Sequence, residues 1–100
     1  MVKYEQIKDI LSNDNKKTVN KFVEQMEQDI EKTNKSVQIG YNRLLKDGED
    51  DKLKEQIKSS IGYLEFLNQW IVVVKNHQYE LNNDIEEYDL YDIKKQLDLL

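Results

Sequence analysis

Two interleaved apolar series repeat every seven residues between Val19 and Leu44: Val19, Met26, Thr33 and Gly40 in one, Val23, Ile30, Val37 and Leu44 in the other. Such a repeat is the seam of helices that pack lengthwise. The same spacing returns in Leu53, Ser60, Leu67, Val74 and Leu81, and in Ile57, Leu64, Ile71, Gln78 and Ile85. Between the two patterns, Lys46-Asp47-Gly48-Glu49-Asp50-Asp51 reads as a helix stop, a turn and a new start. Gly48 suits a left-handed C′ position, and Asp50 or Asp51 suits the N-cap of the second helix. The spacing therefore predicts an antiparallel hairpin of two long helices, at about residues 14–47 and 50–82, each about 50 Å long at 1.5 Å per residue. Folding back on Gly48 would set Leu44 near Leu53, Ile30 near Leu67 and Val23 near Val74.

Composition supports long helices over sheets. The chain of 100 residues has no proline and only Gly40, Gly48 and Gly62, so the punctuation that strands and loops require is scarce. Charged residues make up 35% and the apolar set 38%, polar for a globule but too periodic in Ile, Leu and Val for a disordered tail. One helical domain, residues 1–100, is expected. The first helix is expected to be capped by one of Ser12, Asn13, Asp14 or Asn15, although Lys16 and Lys17 oppose the helix dipole there. Ile71-Val72-Val73-Val74 is a β-branched run with a strand preference, and the heptads continuing on both sides decide for helix.

The second helix carries a further stripe, Tyr63, Phe66, Trp70, Val73 and His77, which widens its apolar arc beyond what one partner helix covers. Covers available within the chain are the short amphipathic start, with Tyr4, Ile7, Ile10 and Leu11, and the tail, with Ile85, Tyr88, Ile93, Leu97 and Leu100. Asp84 with Glu87 fits a capping box that would open a separate terminal helix after a break at Asn82-Asn83-Asp84. The expected architecture is all-α: a hairpin of two long helices with short N- and C-terminal helices, a helical bundle that dimerisation could complete. Core within the chain is the default for the stripe. Its residue types are also those that dominate interfaces, which makes Tyr63, Phe66, Trp70, Val73 and His77 the candidate protein-interface residues. Thr33 and Gln78 place polar groups in the seam, which can fix register.

No catalytic, metal or cofactor set is legible. His77 is the sole histidine and has no orienting carboxylate or companion ligands in the pattern, so it reads as a packing residue at the edge of the stripe. With Gly48 at the sixth position of a calcium loop, Arg43 falls where the first aspartate must be, and that motif fails. A net charge of −5 argues against direct nucleic-acid binding. The longest run of aliphatic and aromatic residues, Trp70 to Val74, is far short of the roughly 20 needed to span a membrane. Met1 to Asp9 has no continuous apolar stretch of the signal-peptide kind, so a cytoplasmic protein is expected, or one exported without a cleaved signal. The segment from Asp84 to Asp92 packs Asp84, Glu86, Glu87, Asp89 and Asp92 together with Tyr88 and Tyr91 and contains no basic residue. It reads first as a solvated face, and more sharply as a contact surface for a basic partner.

Chain length, a helical hairpin, the lack of cysteine and the tail spacing Tyr88-x-x-x-Asp92 resemble the WXG100-type small secreted proteins. The turn differs from that family's Trp-x-Gly, since it reads Lys46-Asp47-Gly48 and Trp70 lies deep inside the second helix. The resemblance implies a secretion substrate or its chaperone. From the residues themselves the first expectation is a non-enzymatic interaction module that presents hairpin faces to itself, as a homodimer, or to a protein partner. The alternative is a small acidic inhibitor that mimics nucleic acid and blocks a basic, nucleic-acid-binding protein.

Overall fold

A computed structural model of the chain describes residues 1–48, 50–83 and 88–100. Four helices follow in order: α1 (Tyr4–Leu11), α2 (Lys16–Asp47), α3 (Asp51–Asn82) and α4 (Leu90–Leu99), with no strand among the described residues. Helices α2 and α3 have 32 residues each and pack along one another as the expected hairpin. Asn15 caps α2, its side chain accepting the Thr18 N–H at 3.0 Å, and Asp50 caps α3 by accepting from Leu53 at 3.1 Å. Each cap satisfies an N–H that the helix itself leaves without a partner. The β-branched run at residues 71–74 is helical: Val74 is fully buried in the seam, and that burial overrides the local preference.

The turn departs from expectation in one detail. Gly48 donates its N–H to the Leu44 carbonyl at 3.1 Å, yet its φ of 84° is combined with a ψ of −163°. That is not the compact left-handed conformation but an extended positive-φ corner open essentially to glycine alone. Gly48→Ala should therefore lower stability by about 1–3 kcal/mol, read as a lower urea midpoint with unchanged m-value.

Gly40 reports the register. A Cβ built there would stand 3.0 Å from Ile57 Cγ1 and 3.9 Å from Leu53 Cδ1, so the helices approach closely at this point. Stepping from the Gly40–Ile57 pair in both directions gives the pairing set by folding at Gly48, and Val23, Leu67 and Val74 duly share one buried cluster against which Ile30 packs. At the far end Asn20 Oδ1 accepts from Gln78 Nε2 and from Asn82 Nδ2, both at 2.9 Å. A polar group at seam position 78 thus bonds across the hairpin, where a register slip would leave it without its partner.

Burial is unequal along the hairpin. Among the described residues the buried apolar side chains are Val2, Ile7, Ile10, Val19, Phe22, Val23, Met26, Leu67 and Val74, all at the end remote from the turn. There α1 lies on α2 and α3 as a third layer. We call this end the root half. No residue from 31 to 64, apart from Glu49, which lies outside the described residues, is other than half-buried or exposed. Among the described residues this turn half is two helices and nothing more. The radius of gyration is 19.9 Å, well above the roughly 13 Å of a compact 100-residue domain, and the extents are 63 × 32 × 16 Å.

Of the two expected covers, α1 takes the stripe and α4 packs against none of the other helices. The break after Asn82 is present, since α3 ends there. The capping box expected from Asp84 and Glu87 falls outside the described residues. The terminal helix begins instead at Asp89, whose side chain accepts the Tyr91 N–H at 2.7 Å.

Candidate interaction surface

The aromatic stripe of α3 is met by the N-terminal segment at three points. Tyr4 sets its ring edge-on to Trp70, with centroids 5.3 Å apart and planes at 61°. Tyr63 accepts the Val2 N–H at 2.7 Å, donates its hydroxyl to Asp29 Oδ2 at 2.8 Å, and stacks on Phe66. His77 Nε2 lies 2.8 Å from the Asn13 carbonyl, which can only accept, so Nε2–H is the donor of this contact. Phe66 and Trp70 are half-buried against the core, and Val73 stays 41% exposed at the stripe's edge. Histidine and tyrosine here tie α1 and its connection to the hairpin. Hydrogen bonding and packing account for both.

Burial, foremost, raises the Tyr63 phenol above its ordinary value of 10.0; the Asp29 carboxylate adds to the rise by hydrogen bond and charge, and the Val2 N–H opposes it. A raised value means that the folded state holds this proton more tightly than the unfolded chain does. The stabilisation is therefore complete below about pH 10 and is lost as pH rises above it. Thermal melts between about pH 8 and pH 11 should show a steeper alkaline decline for the wild type than for Tyr63→Phe, which has no proton to lose.

The turn half presents a different surface. Val37, Leu44, Leu53, Ile57 and Leu64 are half-buried along its seam, while Ile39 and Leu45 stand 63% and 64% exposed beside it. Residues 32–46 contain Lys32, Lys35, Arg43 and Lys46 and no acid, and residues 52–62 contain Lys52, Lys54 and Lys58 against Glu55 alone. Lys35 and Lys58 reach carboxylates one turn away, Glu31 at 3.5 Å and Glu55 at 3.7 Å, in exposed pairs that contribute little. The shafts of the turn half are thus basic in a protein whose net charge is −5.

Helix α4 is amphipathic and uncovered. Leu90 is 82% and Leu97 62% exposed, and Ile93 and Leu97 line a shallow apolar groove with Tyr88. Of the acidic segment, Asp84, Glu86 and Glu87 lie outside the described residues; Tyr88, Asp89, Tyr91 and Asp92 are all exposed. Asp89 caps α4 and Asp92 sits in its first turn, where the helix dipole favours a carboxylate. The basic shafts escape a reading from net charge, because the acids at either end of them, those of the turn and those of residues 84–92, offset them. Summing charge segment by segment would have exposed them.

No family model, curated protein or solved structure matches this chain. Among the described residues no three His, Asp or Glu side chains converge as a metal site would need, and no helix is long and apolar enough to cross a membrane.

Proposed function

We propose that the protein is a non-enzymatic helical interaction module in which the root half locks the hairpin and the turn half presents it. One observation carries this reading: among the described residues every buried side chain belongs to the root half, while the same heptad seam continues through the turn half with no third helix over it. A two-helix layer leaves apolar flanks that a further helix can bury, and helix-in-groove recognition uses such flanks. Ile39 and Leu45 supply apolar contact, and Lys35 and Arg43 supply charge for orienting an acidic partner. Capping accounts for Asp89 and the helix dipole for Asp92, so these acids serve the start of α4 before they serve any mimicry of nucleic acid.

The test compares tagged wild type with an Ile39→Glu, Leu45→Glu double variant in an extract of the native host. Both positions are exposed, so helix content and melting temperature should be unchanged. The wild type should retain a partner that the variant loses. Capture of the same proteins by both would overturn the proposal.

A further inference from the structure

Helix α1 is shorter than the groove in which it lies. It has eight residues, about 12 Å, and runs with Val2 against Tyr63 and the Asn13 carbonyl against His77, so its N-terminal end points toward the middle of the hairpin. Past Val2 the groove between α2 and α3 continues into a cavity of about 390 Å³ lined by Thr33, Ser36, Ser59 and Ser60, with Met1 and Tyr63 at the α1 end. From His77 to Ser59 is about 27 Å along α3, more than twice the length of α1. We infer that this groove is a receiving site for an amphipathic helix of about 18 residues from a partner protein, with α1 as its built-in occupant and competitor. The inference concerns the root half and stands apart from the turn-half reading.

The way α1 sits defines the chemistry of that partner. Tyr4 lies edge-on to Trp70, and Ile7 and Ile10 are buried, so the partner carries an aromatic residue followed by aliphatic ones three and six places on. Toward its N-terminus it carries small or amide side chains, which the short hydroxyl side chains of the cavity admit at ordinary helix spacing. The surface beneath α1 is built for exchange. Tyr63, Phe66 and Trp70 are of the types enriched at interfaces. Tyr63 keeps its hydroxyl bond to Asp29 when the Val2 N–H departs, so the exchange strands no polar group at that point. Eight residues are too few to persist as a helix alone, and released α1 regains chain entropy that offsets part of its lost contacts. A tethered α1 competes at an effective concentration on the order of millimolar, so a helix of the same length displaces it poorly. A longer helix repeats the contacts of α1 and adds those of the cavity, and that difference drives the exchange.

The experiment measures fluorescence anisotropy of two labelled peptides on the full chain. One peptide has the sequence of residues 1–15; the other is the same peptide lengthened at its N-terminus by two helical turns of alanine and glutamine. Tyr4→Ala in the full chain loosens α1 at a half-exposed position and leaves the buried side chains unchanged. The lengthened peptide should bind this variant about tenfold more tightly than it binds the wild type, because the open groove is more populated. It should also bind about tenfold more tightly than the 15-residue peptide. Ser36→Phe with Ser59→Phe, both at exposed positions, should fill the cavity, leave helix content intact and abolish the advantage of length alone. No binding of the lengthened peptide to the Tyr4→Ala chain at about 1 mM overturns the inference. Equal affinity for wild type and Tyr4→Ala, or a length advantage that survives the phenylalanines, does the same. A wild-type dimer of 12.0 kDa chains that the lengthened peptide dissociates, seen by light scattering, would assign the groove to a second copy and overturn a separate partner.

Discussion

Leu67→Ala should lower the stability of the fold by about 3 kcal/mol, a shift of about 12–24 °C in melting temperature for a domain of this size. Leu67 is fully buried and is one of only two α3 side chains in the buried set. It packs where α1, α2 and α3 meet, so truncation opens a cavity that the third layer cannot close without losing its own contacts. The same substitution at Leu53 or Leu44, equivalent seam positions in the turn half, should cost much less, because both are already half-exposed. Urea unfolding followed by circular dichroism measures all three. Equal losses would show that the seam is buried evenly, contrary to the structure.

Ile7→Asp should have an effect of similar size by a different route. Ile7 is fully buried under α1, and a carboxylate there would have to be desolvated with no basic partner facing it. Releasing α1 is cheaper than burying the charge. Detachment exposes Val2, Ile10 and the faces of Val19 and Trp70, and a loss of about 4 kcal/mol is expected, as for other unpaired buried charges. The signature is local. Trp70 emission should shift to the red as Tyr4 leaves its ring, while α2 and α3 keep most of their helix signal. An unshifted Trp70 spectrum would mean that α1 is not its cover.

The hairpin was legible because its signals are local and periodic. Heptads identify the seam, Gly48 and Asp50 mark the reversal, and the register follows from folding at that point. Two things were not. Both terminal segments are short and amphipathic, so periodicity nominates either as cover for Trp70; connectivity decides, since the short link from Leu11 to Lys16 turns α1 back onto the root while α4 follows a longer connection. Nor does a heptad carry depth. Leu44 and Leu53 occupy the same kind of position as Val23 and Val74, yet α1, eight residues and about 12 Å long, is too short to seal more than one end. The aromatic stripe was visible in the sequence; the uncovered half beyond it was not.

The placement of that seal sets the order in which the molecule can assemble. Its stabilising contacts join residues far apart in the chain: Val2 to Tyr63, Asn13 to His77 and Asn20 to Gln78 are separated by 61, 64 and 58 residues. The contacts nearest in sequence, beside Gly48, are those that bury least. Zipping from the turn therefore gains little until the two chain ends meet, and the loop-closure entropy must be met before the reward arrives. Among all-α proteins this one should fold slowly and in one step, with its barrier at the root.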